Sequence, residues 1–594
     1  MIEQLLTAKI VEAVRQLWNH ETDPALVSLQ KTRREFEGDF TLVVFPFLKF
    51  SRQSPEVTAR AIGDYLTANV DEVVSFEVIK GFLNLTISPK YWFSFFQKYY
   101  SVADFAIKPV QPGKPVVVEY SSPNTNKPLH LGHIRNNLLG SALSNILEAN
   151  GKKVIKVNLV NDRGIHICKS MLAWLRWGNG ETPRTSGLKG DHLVGKYYVL
   201  FDKYFKAEIA ELVKNGMDEE LAEKEASLIM EAQEMLVQWE EHNPEVRKIW
   251  AMMNGWVYDG FDETYKRLGI TFDKVYYESD TYLLGRELVE EGLKSNVFFR
   301  KPDGSVWCDL TDEGLDEKLL LRADRTTVYM TQDLGTAQLR KDEFDPELLI
   351  YVVGNEQNYH FDVLKRVLKR LGRSWSDDML HLSYGMVELP QGRMKSREGT
   401  VVDADDLLDE MYRTAKKTTE ELGKTEHFTE SEKDTLYQMI GLGALKYYIL
   451  KVDPRKNMLF NPEESIDFNG NTGPFIQYTH ARIRSLFRKA AEKDFHVSLP
   501  EIMPEISTKE VSLLKLLHEY PAVISEAGLN YSPALIANYI YELAKEFNQY
   551  YQDTPILREN NKQVAAFRLL LSGFAGHVIK SGMGLLGINV PDKM

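Results

Sequence analysis

The strongest constraint on this chain is a change of hydrophobic period across residues 115–160. PVVVEY at 115–120 is a short, almost uninterrupted apolar run, a helical pattern follows through Ala149, and KVIKVNLV at 153–160 is a second run of the same kind. Strands that read this way are buried on both faces and belong to parallel sheets, whose neighbours are joined by crossover helices. Their alternation with helices predicts a doubly wound α/β sheet that binds ligand at the carboxyl edge of its strands. LLIYVVG at 348–354 resumes the pattern. Between the two parts, residues 186–254 are acidic, helical in period and without strands, and read as a solvent-facing insertion.

At 594 residues the chain exceeds what one core can organise. Residues 1–108 read as a separate α/β domain, and the Pro- and Gly-rich KPVQPGKP at 108–115 marks its boundary. The domain carrying the α/β pattern is predicted to span 109–430. From 431 to 594 strands largely vanish, and successive amphipathic segments predict an all-α bundle. No apolar stretch approaches the roughly 20 residues of a membrane span, and Glu3 and Glu12 spoil a targeting peptide at the N-terminus. A cytoplasmic protein with no membrane partner is expected. Cys168 and Cys308 lack metal-ligand spacing, so no zinc is expected. A net charge of −13 argues against indiscriminate nucleic-acid binding, although a locally basic face can coexist with it.

After the first strand comes SSPNTNKPLHLGHIRNN, residues 121–137. It is neither a G-x-x-x-x-G-K-[ST] loop nor a G-x-G-x-x-G turn. Gly132 permits close backbone approach to a ligand, His130 and His133 can donate to phosphate oxygens, and the helix start offers unpaired N–H groups to an anion. The set suits a triphosphate. Glu119 lies on the strand leading into this segment, and Tyr329 and Asp333, four apart, share a face if YMTQDLGTAQLR is helical. Gln357 follows LLIYVVG. In FIQYTHARIRSLFRK, aromatics alternate with Arg482, Arg484 and Arg488, which suits stacking on unpaired bases and equally an ordinary amphipathic helix.

The 121–137 segment resembles the extended HIGH signature of class I aminoacyl-tRNA synthetases, and its Pro-Asn, Lys-Pro and Gly-His-Ile-Arg elements are specifically similar to the arginyl-tRNA synthetase family. EGDFTLVVF, KGFLNL, TVYMTQDLGTA, YVVGNEQNYHF, RMKSREGT, NGNTGPFIQYTHARIRS and GMGLLGINVPDKM follow in that family's order. The resemblance implies an arginine–tRNA ligase activity with three substrates, ATP with Mg2+, L-arginine and tRNA(Arg), in a monomer. It implies His130, His133, Lys127 and Lys395 as catalytic residues, and Gly132, Arg393 and Arg397 as further ATP contacts. The segment 393–397, Arg-Met-Lys-Ser-Arg, departs from the family's KMSKS signature by placing Ser396 where the second lysine stands. Glu119, Asn124, Tyr329, Asp333 and Gln357 are implied to hold arginine. Gln477, Tyr478 and Arg482 are implied anticodon contacts, with Phe82 and Asn84 touching the tRNA elbow from the first domain.

Because a site reading several guanidinium hydrogen bonds rejects analogues that leave them unpaired, no editing domain is expected. Rival readings at this point are a lysyl or cysteinyl synthetase, a small-molecule nucleotidyltransferase with an HxGH loop, and a catalytically silent tRNA-binding paralogue.

Overall fold

In the computed structural model, which describes residues 2–33, 35–388, 402–423, 428–495, 497–500 and 502–594, the apolar runs form a five-stranded sheet: β1 Val116–Glu119, β2 Val154–Val160, β3 Lys274–Tyr277, β4 Leu348–Gly354 and β5 Met379–Tyr384. Its order is β5-β4-β1-β2-β3, with every pair parallel. β1 is central, and Val116, Val117 and Val118 are buried, as a strand covered on both faces requires. The order reverses on either side of β1, so the edge at Glu119 is a topological switch point, where such sheets bind ligands.

The Leu131–Ala149 helix crosses from β1 to β2. It is buried almost all round, because it packs on the sheet and is covered again from outside. Gly140 permits the close approach: a Cβ there would meet the Tyr120 ring at 2.3 Å. At the far end of the helix, Asn145 Nδ2 donates to Leu585 O (3.3 Å) and Asn150 Nδ2 to Ile524 O (2.8 Å).

The sheet belongs to a compact unit made of Ala106–Ser485, Tyr520–Ala544 and Val578–Met594. The expected insertion is helical, with Gly190–Lys214, Glu219–Glu225 and Ser227–Glu240, followed by Pro244–Leu268. It is not purely solvent-facing: Leu193, Tyr197, Phe201, Met235 and Trp239 are buried, because these helices pack on each other and on Ile165–Trp177. A small antiparallel sheet, Phe298–Arg300, Val306–Cys308 and Lys318–Leu321, completes the region before β4.

A second compact unit combines Met1–Phe105 with Leu486–Glu519 and Lys545–His577. Its sheet is antiparallel, and the Ile2–Trp18 helix buries Ile2, Leu6, Ile10 and Val14 on one face at helical spacing. Its core is aromatic: the Phe96 ring lies 5.0 Å from Phe567 and Phe105 lies 5.1 Å from Phe574.

Candidate active site at the carboxyl edge of the sheet

Immediately after β1, Ser121 and Ser122 adopt φ of +81° and +47°, a conformation that costs free energy and is held by the neighbouring strand and helix. Ser121 N–H donates to Asn136 Oδ1 (2.5 Å) and Ser122 N–H to Asn158 Oδ1 (3.0 Å). Asn136 Nδ2 donates in turn to Val352 O on β4 (2.7 Å) and reaches Tyr384 Oη on β5 (3.2 Å). One side chain on the helix thus ties the ends of three strands together.

The two histidines cap the helix. His130 Nδ1 accepts from Gly132 N–H (3.1 Å), and His133 Nδ1 accepts from His130 N–H (3.2 Å). With Nδ1 accepting in both, the neutral rings carry their protons on Nε2. Neutrality is enforced by burial, which with Lys127 nearby lowers the His130 pKa to about 4; burial holds His133 well below its usual value, with His130 and Lys127 adding to the effect. The result is a pair of neutral N–H donors, with ring centroids 3.9 Å apart. Lys127 is half-buried, and burial lowers its pKa.

Beside them opens a cavity of about 680 Å³, lined by His130, Gly132 and His133 on one side and by Gly354, Tyr384 and Met386 on the other. Arg135, fully buried, donates to Met386 O (3.1 Å), Pro454 O (3.1 Å) and Lys456 O (2.7 Å), which fixes the far wall. Glu388 also lines the cavity. Leu131 N–H donates to Val402 O (3.1 Å), and Asp403 bridges His130 in antiparallel fashion. Arg393, Lys395 and Arg397 lie outside the described residues; Glu388 and Val402 are the described residues on either side of that segment.

A second group of side chains surrounds the same sheet edge. The Tyr329–Phe344 helix forms as expected, so Tyr329 and Asp333 share a face. Asp333 accepts from His360 Nε2 (2.6 Å). Glu119 is buried, accepts from Ser122 Oγ (3.0 Å) and is ion-paired to Arg340 from the same helix. Tyr329, Gln357 and Asn124 are exposed. Two carboxylates that the sequence reading missed stand with them. Glu278, directly after β3, is 7% exposed and faces Gln332 and Asp333. Burial pushes its pKa up to about 7, opposed by Arg163 and reinforced by Asp162. Asp162, two residues beyond the end of β2, accepts from Ser279 N–H (2.8 Å), Ser279 Oγ (2.7 Å) and Tyr258 Oη (2.8 Å). Their only available signal was position, since each follows a strand of the parallel pattern.

Two of the expected tRNA contacts are buried. Asn84 is 2% exposed and accepts from Thr41 Oγ1 across its own antiparallel sheet (2.7 Å). Gln477 is fully buried, and its Nε2 donates to Met439 O (3.0 Å) and Asn589 O (2.8 Å), holding the C-terminal segment. Phe82 is 40% exposed. Tyr478 and Arg482 are half-buried, with the guanidinium 4.9 Å from the ring centroid.

The family model for tRNA synthetases class I (R), catalytic domain, matches residues 104–461, and that for the DALR anticodon binding domain matches residues 476–594. Sheet order, histidine-capped helix and matched model define the catalytic domain as that of a class I aminoacyl-tRNA synthetase. The chain is 59% identical to an arginine–tRNA ligase of Bacteroides fragilis and 56% identical to one of Porphyromonas gingivalis strain W83, with 100% of both chains covered in each case. Its fold is similar to that of the arginyl-tRNA synthetase of Thermus thermophilus, with a TM-score of 0.77 at 23% identity and both chains fully covered. The chain belongs to the arginyl-tRNA synthetase family.

Proposed function

We infer that the chain joins L-arginine to tRNA(Arg) in two steps. A carboxylate oxygen of arginine attacks the α-phosphorus of ATP, whose bond to the bridging oxygen breaks, giving arginyl-adenylate and diphosphate. A hydroxyl of the 3′-terminal adenosine of tRNA(Arg) then attacks the arginyl carbonyl, and AMP leaves. The observation that carries this reading is one sheet edge bearing both a neutral N–H donor pair and a set of carboxylates, in a chain related over its whole length to arginine–tRNA ligases.

His130 and His133 donate Nε2–H to the phosphate oxygens on which charge develops. Being neutral, they act by positioning and electrostatics and take no proton. Lys127, with Lys395 and flanked by Arg393 and Arg397, supplies cations to the triphosphate, which enters with its Mg2+. Gly132 lets the base or ribose approach the helix start. Asn124 takes the α-amino or carboxylate end of arginine, and Glu119, Asp333, Tyr329, Gln357 and Glu278 surround its side chain, for whose guanidinium carboxylates and planar acceptors are the matching chemistry.

Residues 431–594 bind the anticodon arm, with Tyr478 and Arg482 as a stacking platform and a cation. Residues 1–108 contact the tRNA elbow, with Phe82 at that surface. The protein works as a cytoplasmic monomer; among the described residues, no helix is long and apolar enough to cross a membrane. Arginine-dependent exchange of labelled diphosphate into ATP, run with tRNA present, tests the first step. Exchange driven by arginine and absent with lysine is expected; exchange with lysine instead would reassign the carboxylate site.

A further inference from the structure

Arg163 follows Asp162 on the turn after β2. Its guanidinium is ion-paired to Glu240 and lies 3.9 Å from Glu278 Oε1, outside hydrogen-bond range. The group is centred 4.0 Å from the Tyr282 ring and 5.6 Å from the Trp239 ring, and the side chain is 10% exposed. Trp239 is itself covered by the Arg247 guanidinium at 3.4 Å, and Arg247 Nε donates to Trp239 O (2.9 Å). Trp239 and Glu240 are the last two residues of the Ser227–Glu240 helix and so belong to the acidic insertion. An unbroken chain of contacts therefore runs from the insertion through Arg163 to Glu278.

A guanidinium beside a buried carboxylate has two possible arrangements. Closed onto it in a bidentate fork, it occupies both oxygens; held a short distance away, it compensates the charge and leaves the oxygens open to another donor. Glu240 draws Arg163 into the second arrangement, and the stack on Tyr282 keeps the planar group in that orientation.

The geometry points to Glu240 and Arg163 as positioning residues for arginine recognition: the insertion holds the chain's own guanidinium back from Glu278, so that Arg163 does not occupy the carboxylate edge that the guanidinium of the substrate takes. This rests on the reading of the site as arginine-binding. It gives the insertion a role in substrate affinity. The same arrangement disfavours lysine, whose point charge cannot share the remaining carboxylate edges as a planar fork does.

The test is Glu240→Gln in the full chain, assayed by charging with arginine, ATP and tRNA varied in turn. Released from Glu240, Arg163 closes on Glu278 and competes with the substrate, so the KM for arginine should rise about fivefold, the scale of one partly exposed ion pair. The kcat and the KM for ATP should not change. Glu240→Asp, which keeps the charge, should recover part of the loss. Arg163→Lys should raise the arginine KM in the same way, and provides an independent variant should Glu240→Gln fold poorly. Glu231→Gln, on the same insertion helix, is the control: it breaks the ion pair to Arg176 of the Ile165–Trp177 helix without touching Arg163, and should behave as wild type. An arginine KM in Glu240→Gln and Arg163→Lys equal to that of the control overturns the proposal, as does a fall in kcat with the arginine KM unmoved. A wild-type chain that charges no arginine refutes the functional reading itself, which is a separate result.

Discussion

Replacing Gly132 by alanine puts a Cβ 3.1 Å from Nδ1 and 2.9 Å from Cε1 of His130, the second closer than real Cβ atoms approach, so the imidazole must shift away. Two things are lost. The His130 Nδ1 to Gly132 N–H bond is a helix cap, and caps contribute about 1 kcal/mol. The ring's Nε2–H also leaves the place from which it meets the triphosphate, and removing one such donor costs on the order of 100-fold in rate. The Cβ itself meets a ring at the helix start, with no backbone or core atom closer than that ring. Diphosphate exchange and tRNA charging should therefore fall about 100-fold, while the circular dichroism spectrum stays unchanged and the thermal midpoint moves little. Activity within about twofold of wild type would show that His130 can shift without loss, and the assignment of its Nε2–H to a phosphate oxygen would fall with it.

Asp333→Ala should raise the arginine KM at least about tenfold and leave the ATP KM alone, since a truncated partner leaves the bound guanidinium unpaired; an unaltered arginine KM removes Asp333 from the pocket. Gln477→Ala should lower the thermal midpoint without changing the tRNA KM, because it orphans Met439 O and Asn589 O inside the fold. A tRNA KM that rises with stability intact would restore Gln477 as a contact. His192 is bonded to Asp403 (3.1 Å) and Asp405 (3.5 Å), which raise its pKa to about 10 against the cost of burial. A raised pKa contributes stability that is fully present below the unfolded value near 6.5 and is lost as pH rises through about 10. The thermal midpoint of His192→Gln should accordingly lie below wild type at pH 6 and meet it near pH 10; a constant gap across that range contradicts the linkage.

What could be read in advance follows the range of the interactions involved. The strands around Val116–Val118, Val154–Val160 and Leu348–Gly354 announce themselves because double-sided burial leaves no polar face, and the Tyr329–Phe344 helix because its spacing is local. The small sheet at Phe298–Leu321 carried a local signal too, a Pro-Asp-Gly turn at 302–304 between apolar runs, but its strands are short enough to pass as loop. Glu278 had only its position after a strand: its partners Arg163 and Asp333 are remote in sequence, and the parallel topology is what brings β2, β3 and the helix at 329 to one edge. Asn84 and Gln477 show the opposite case. Each is a polar residue in a segment where surface recognition was expected, and each is buried because a backbone or side-chain partner from a distant element satisfies it. A sequence shows that an amide is present without showing which way it points.

The central claim is best tested by charging total tRNA with the full-length protein, ATP, Mg2+ and each of the twenty amino acids in turn, then sequencing the tRNA that becomes charged. The account predicts that arginine alone is attached, and to tRNA(Arg) alone. Attachment of another amino acid, or no attachment together with no arginine-dependent diphosphate exchange while tRNA still binds, would contradict it.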